Sequence, residues 1–216
     1  MKLFLFEHCP FCMKAKMVAG IKKQSIEFIY MQNDDVDSRI EKVGANMVPI
    51  LEKEDGSYMA ESLDIAEFLD KHDHHSVIEQ ATHADEISEW LDTARPLFFN
   101  LTFPRWTQLN LQEFQHPEAI SWYTEKKEAF IGMSFKEALA QSDEYINTLK
   151  PLLVDVNFIT LPSEKGNKIT WDDINLFPFL RNLTVVKGLD FPPHLKNYLD
   201  EISELTDVNL FFDVAV

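Results

Sequence analysis

The hydrophobic pattern changes character once along this chain. Near the start, short apolar runs alternate with turn residues. LFLF (Leu3–Phe6) reads as a short buried strand and IEFIYM (Ile26–Met31) as a second. Between them, Pro10 to about Lys23 reads as a helix, with proline at the first helical position where its missing N–H costs nothing. VDSRIEKVG (Val36–Gly44) predicts a short helix closed by Gly44. MVPILEKEDGSYMAES then predicts a strand, a hairpin turn at Asp55-Gly56 and a second strand. It ends at Ser62, which is expected to N-cap the helix LDIAEFLDK, where Leu63, Ala66 and Leu69, with Ile65 and Phe68, share one face. The order is βαβ, helix, ββα, an α/β pattern filling residues 1–72.

Beyond it the period is helical. Lys71–Asp85 shows no periodicity, and the reading is an α/β domain over 1–72, a linker over 73–84 and an all-helical domain over 85–216. Helices are predicted over roughly 85–99, 117–131, 135–149, 171–187 and 192–205, with 104–114 unassigned and 159–170 a polar loop. Thr170-Trp171-Asp172-Asp173 reads as a capping box with Asp in the place of Glu, and Gly188 stands where that helix should end.

Charge narrows the partners. The 216 residues carry 20 basic and 36 acidic side chains, a formal −16. Phosphate backbones and anionic lipid repel such a surface, so nucleic acid and membrane are not expected as partners. The opening MKLFLFEHC lacks the apolar length and small-residue cleavage site of a signal peptide, and a cytoplasmic protein is expected. The first 23 residues break the acidic trend, with Lys2, Lys14, Lys16, Lys22 and Lys23 against Glu7 alone. A local positive patch suits an anionic small substrate or a thiolate. Six glycines, none spaced as G-x-G-x-x-G or a P-loop, give no nucleotide or flavin motif.

The only two cysteines, Cys9 and Cys12, bracket Pro10-Phe11 at the strand-to-helix junction. That junction sets Cys9 at the helix N-terminus, where unpaired N–H groups and the macrodipole favour thiolate over thiol. Cysteines so placed ionise anywhere from ~3.5 to ~7.5, against ~8.5 for a free thiol. Lys14 and Lys16, expected at the surface, would add little. Cys12, one turn further in, shares the helix face and should be more buried and less acidic. Cys9 is thus read as the attacking thiol and Cys12 as the resolving one. Two other readings stay open. A zinc site would need His8, or His72, His74 and His75, to complete its ligands, and the pair could be structural. His8 is placed at the strand edge, without an acid–base role, and the four tryptophans in the core.

Cys9-Pro10-Phe11-Cys12 after a strand, followed by Met47-Val48-Pro49 and Glu61-Ser62, resembles a glutaredoxin. The helical half, with WDDINLFPFLRNLTVVKG, is similar to that of glutathione S-transferases, and the combination resembles the two-domain bacterial glutaredoxin 2 type. The resemblance implies a thioredoxin-like α/β domain plus an all-α C-terminal domain. It implies glutathione as reductant and cosubstrate, no tightly bound cofactor, no metal, and a monomer acting on glutathionylated or disulfide-containing proteins. Glutathione would meet Phe11, the backbone of Val48 before a cis Pro49, and Glu61 and Ser62 at the next helix start. Phe11 stands where many glutaredoxins have tyrosine, and Met47 where many have threonine. A cysteine rather than Tyr or Ser at the active position argues against conjugation, although a glutathione S-transferase and a non-catalytic interaction module remain the alternatives.

Overall fold

A computed structural model describes all 216 residues, Met1–Val216. Two compact units emerge. The first holds Met1–Val77 together with Asn110–Tyr123 and Thr206–Val208, and the second holds the remainder.

The first unit is built as β1 (Lys2–Leu5), α1 (Pro10–Ile21), β2 (Glu27–Tyr30), α2 (Val36–Val43), β3 (Ile50–Glu52), β4 (Tyr58–Met59) and α3 (Ser62–Lys71). The sheet order is β2-β1-β3-β4, with β1 and β2 parallel and the other pairs antiparallel. Strand alternation sends Leu3 and Leu5 to one face and Phe4 and Phe6 to the other. Phe4 and Phe6 cluster with Met31 and Ile50, and Ile29, Val43, Val48 and Cys9 pack around them. α1 packs against α3. Gly44 closes α2 in the left-handed conformation, as the pattern predicts.

At α3 the expected N-cap is displaced by one residue. Ser62 is the first helical residue, and Glu61 is the cap, at φ +68° and with no side-chain hydrogen bond to the helix. A non-glycine residue rarely enters this region. The sequence signal misleads because a hydroxyl just ahead of an apolar run is compatible with either position.

Two segments from the helical half complete this unit. A 3-10 turn at Gln112–Phe114 falls in the stretch left unassigned in the sequence, and the first half of α5 (Pro117–Ile131) comes from the helix expected over those residues. The Gln32 side chain donates to the Gln112 carbonyl at 2.7 Å and accepts from the Gln115 amide at 3.1 Å. The Asn33 amide donates to the Glu113 carbonyl at 3.1 Å. Thr206 crosses so close to α1 that a Cβ at Gly20 would lie 1.8 Å from its carbonyl oxygen.

The second unit contains α4 (Ala84–Trp106), the rest of α5, α6 (Phe135–Ala140), α7 (Ser142–Asp155), α8 (Trp171–Leu183) and α9 (Pro193–Thr206) up to Leu205. Nearly every residue of α8 is buried, the mark of a helix at the centre of a bundle. Its N-terminus carries the predicted capping box: Thr170 Oγ1 accepts from the Asp173 amide at 3.3 Å, and Asp173 Oδ2 accepts from the Thr170 amide at 2.8 Å.

Several expectations shift here. α4 runs past 99 to Trp106, through Pro96 and Pro104, because packing of its buried face outweighs the lost amide bonds. The single helix expected over 135–149 is two, parted at Gln141. α8 ends at Leu183, short of Gly188. Residues 73–84, read as a linker, carry strand β5 (Ile78–Glu79), paired in parallel with β6 (Ile169–Thr170) out of the expected loop. Asp172 Oδ2 pins the chain just past β5 by accepting from the amides of Thr82 (2.7 Å) and His83 (3.0 Å).

Candidate active site

β1 feeds through Phe6–His8 into α1, and Cys9 is the N-cap of that helix, at φ −81° and ψ 116°. Its Sγ accepts from the Cys12 amide at 3.4 Å, while its carbonyl accepts the Met13 amide at 3.2 Å. A sulfur in the N-cap position faces donors that have no carbonyl partner, so negative charge there is favoured. Cys9 is half-buried against the Phe4–Phe6 cluster; Cys12 is fully buried, and both are free thiols. Burial, then the hydrogen bond to Cys9 and the charge of Cys9, push the Cys12 thiol well above its ordinary range. The pair is thus asymmetric: Cys9 Sγ is half-buried and accepts a first-turn amide of the helix, whereas Cys12 is fully buried and its thiol is pushed upward.

The basic groups around the pair sort differently from the sequence expectation. Lys14 is buried, only 7% exposed, and burial pulls its ammonium down to about 8, with the charge of Cys9 acting in the opposite sense. Its Nζ lies 5.6 Å from the centroid of the Phe11 ring. Lys14 is thus a desolvated amine under the influence of the Cys9 charge rather than the surface lysine expected. Lys16 is committed elsewhere, to Glu7 at 2.9 Å.

His8 is not at a strand edge. It is buried, with Phe6 and Phe114 stacked on its ring at 5.5 and 5.4 Å and Tyr123 edge-on at 5.3 Å. Its Nδ1 lies 2.7 Å from Glu113 Oε1, and the same oxygen accepts the His8 amide at 3.0 Å. Glu113 is fully buried and its Oε2 has no hydrogen-bond partner. Burial first, then the charges of Glu113 and Cys9, hold the Tyr123 hydroxyl well above its ordinary range. Glu113 and Phe114 come from the unassigned stretch about a hundred positions away and Tyr123 from the helix expected over 117–131, and nothing in the sequence ties either to His8 or the cysteines.

Of the other expected site residues, Phe11 is exposed (49%) on the first turn of α1. The Val48–Pro49 peptide is cis, and Val48 packs on the same cluster as Cys9. The Val48 amide and carbonyl take no part in the backbone hydrogen bonds of the unit. The buried Arg39 steadies this region by donating to Asn46 Oδ1 (2.7 Å) and to the carbonyls of Gln32 (3.0 Å) and Asn33 (2.9 Å). Glu61 is exposed and Ser62 half-buried, at the start of the helix that packs on α1. No three His, Cys, Asp or Glu side chains gather as a metal site would require.

Two family models cover the chain: "Glutathione S-transferase, N-terminal domain" matches residues 3–76, and "Glutaredoxin 2, C terminal domain" matches residues 86–215. Glutaredoxin 2 of Escherichia coli K12 is 36% identical over 217 residues, covering all of both chains. This chain belongs to the glutaredoxin 2 family. The crystal structure of Glutaredoxin 2 from Salmonella typhimurium, solved in complex with glutathione, superposes with a TM-score of 0.93 at 35% identity, over 100% of this chain and 98% of that one. A glutathione transferase from Phanerochaete chrysosporium, GSTFuA3, matches at a TM-score of 0.64 and 14% identity, over 94% and 96% of the chains, a likeness of fold. The glutaredoxin thus has the two-domain architecture of the transferases, with a thioredoxin-like α/β half and a helical half.

Proposed function

We propose that this glutaredoxin is a glutathione-dependent thiol–disulfide oxidoreductase working through Cys9 and Cys12. The observation that carries the reading is the N-cap geometry: Cys9 Sγ takes the Cys12 amide, while Cys12 itself is fully buried. The Cys9 thiolate attacks the glutathione sulfur of a protein–glutathione mixed disulfide. The protein leaves as a thiolate and takes a proton from solvent. Glutathione thiolate then attacks the Cys9 mixed disulfide, giving glutathione disulfide and free Cys9. With a protein disulfide, Cys9 first bonds to one substrate sulfur as the substrate S–S bond breaks and the other sulfur leaves as thiolate; Cys12 then gives up its proton, bonds to Cys9 Sγ and releases the second substrate thiolate. Two glutathiones then reduce the Cys9–Cys12 bond.

For glutathione we assign the backbone of Val48, ahead of Pro49, to pair with the cysteinyl part, as an added strand would. Phe11 covers the tripeptide from the other side. The γ-glutamyl carboxylate goes to the N-terminus of α3, at Glu61 and Ser62. Three findings support the assignment: the unused Val48 backbone groups, the absence of any side-chain cap on α3, and the glutathione-bound Salmonella relative. The partners are glutathionylated or disulfide-containing proteins in a reducing compartment such as the cytoplasm, with the protein acting as a monomer.

Glutathione-coupled reduction should be assayed on a glutathionylated peptide and on a protein disulfide, with chloronitrobenzene conjugation alongside. Wild type is expected to reduce both. Cys9→Ser should lose at least about 99% of either activity, in line with removing an essential nucleophile. Cys12→Ser should keep deglutathionylation and lose protein-disulfide reduction. Activity surviving in Cys9→Ser overturns the assignment, and conjugation without reduction favours a transferase.

A further inference from the structure

Arg39 is a cation almost wholly removed from water, 1% exposed on α2. A buried guanidinium is costly unless oxygens meet its donors. Three do so. Nε donates to Asn46 Oδ1 at 2.7 Å, and the two terminal nitrogens donate to the carbonyls of Gln32 (3.0 Å) and Asn33 (2.9 Å). The guanidinium carbon also lies over the Phe6 ring, 5.2 Å from its centroid. Phe6 belongs to the cluster on which both Cys9 and Val48 pack.

The bond to Asn46 has a consequence for the site. Asn46 lies in the loop between α2 and β3, two residues before Val48. Its side chain is at an exposed position, and the one backbone bond within Ala45–Pro49 runs from the Met47 amide to the Ala45 carbonyl at 3.1 Å. A loop with so little pairing of its own is open to several conformations. The Val48 amide and carbonyl must nevertheless stand ready for a ligand. The Asn46 side chain is where that loop is tied to the interior, and the tie is a rigid, planar fork. Lysine could not reproduce it, because a single ammonium on a flexible stem cannot hold three oxygens in one plane.

We propose that Arg39, acting through Asn46, is a positioning residue that sets the preference for the glutathione half of a mixed disulfide. The inference rests on the assignment of glutathione to the Val48 backbone. Arg39 touches neither the tripeptide nor a sulfur. It holds the loop so that the Val48 amide and carbonyl meet the cysteinyl part in one geometry, and ordering of the loop is not charged against binding. The thiol is held separately, since Cys9 Sγ takes its amide from α1. Loosening the Asn46 tie should therefore change which disulfide is chosen, and leave the sulfur as reactive as before.

The test uses one peptide thiol presented as two mixed disulfides, with glutathione and with free cysteine. The second-order rate constant for release of the peptide thiol by the reduced protein is measured for each at pH 7. Wild type is expected to favour the glutathionylated peptide. Asn46→Ala removes the acceptor from an exposed position and leaves the core intact. It should lower the ratio of the two rate constants by about tenfold, the size of loosening the pair of strand-like bonds at Val48. Alkylation of Cys9 by iodoacetamide should stay within about twofold of wild type, a readout that a general disturbance of the unit would move. Asn46→Asp keeps an oxygen for Arg39 Nε and should bring the ratio back to within about twofold. Arg39→Lys should lower the ratio at least as far as Asn46→Ala. An unchanged ratio in Asn46→Ala, equal losses on both peptides, or no recovery with Asn46→Asp overturns the proposal. If wild type shows no preference between the peptides, the Val48 assignment falls and takes the inference with it. A wild-type preference that survives Asn46→Ala intact sinks the inference alone.

Discussion

Lys14 has opposed effects on stability and reactivity. Its buried ammonium is costly to the fold, yet at neutral pH it supplies a desolvated positive charge to Cys9. With a folded pKa of about 8 against 10.5, folded and unfolded chains both hold the proton below pH 8, and the full burial cost is present there. Between about 8 and 10.5 the unfolded chain binds the extra proton, so this group's contribution to stability rises with pH. Lys14→Met should therefore be more stable than wild type at pH 7, by on the order of 1–2 kcal/mol, in urea titrations. The gain should shrink toward pH 10.5, and Cys9 should react more slowly at neutral pH. A variant less stable at pH 7 would contradict the reading of Lys14 as a desolvated cation. Little of this was legible beforehand. Proline at the first helical position made the Cys9 cap and the Cys12 burial readable from local rules. A lysine stem can lie along a surface or inside a core, and nothing local says which. His8 is the sharper case, since its surroundings are set by Glu113, Phe114 and Tyr123, far along the chain.

At the scale of elements, local chemistry was readable wherever a helix end is self-contained. The Thr170–Asp173 box and the Gly44 cap need no partner from elsewhere. The α3 start, the run of α4 through Pro104 and the break at Gln141 depend on packing, and there the expectations moved. Gly20 shows a constraint that is invisible in sequence. It sits within an ordinary helix, and its lack of a Cβ matters only because the Thr206 carbonyl passes through that space. Helix propensity alone would make Gly20→Ala stabilising by roughly 0.5–1 kcal/mol. The crossing reverses the sign, and a loss of about 3 kcal/mol or more is expected, read as a lowered urea midpoint. A stabilised variant would mean that the crossing is looser than described.

Taken whole, the chain is acidic, yet its first 23 residues, which hold both cysteines, carry five lysines against one glutamate. The α/β half could be ordered element by element because its strands and helices are short and punctuated by turns. The helical half was legible as helices, but the membership of residues 110–123 in the first unit was not, because that segment is held by its contacts with Gln32, Asn33 and His8. Everything catalytic depends on Cys9 being anionic at neutral pH while Cys12 stays protonated. Iodoacetamide labelling of the reduced protein across pH 5 to 10, with the modified residue located by mass spectrometry, tests this directly. The account predicts that Cys9 alone is alkylated, at close to its plateau rate by pH 7, with Cys12 untouched. Labelling of Cys9 that begins only near the ~8.5 of a free thiol, or equal labelling of both cysteines, would contradict it.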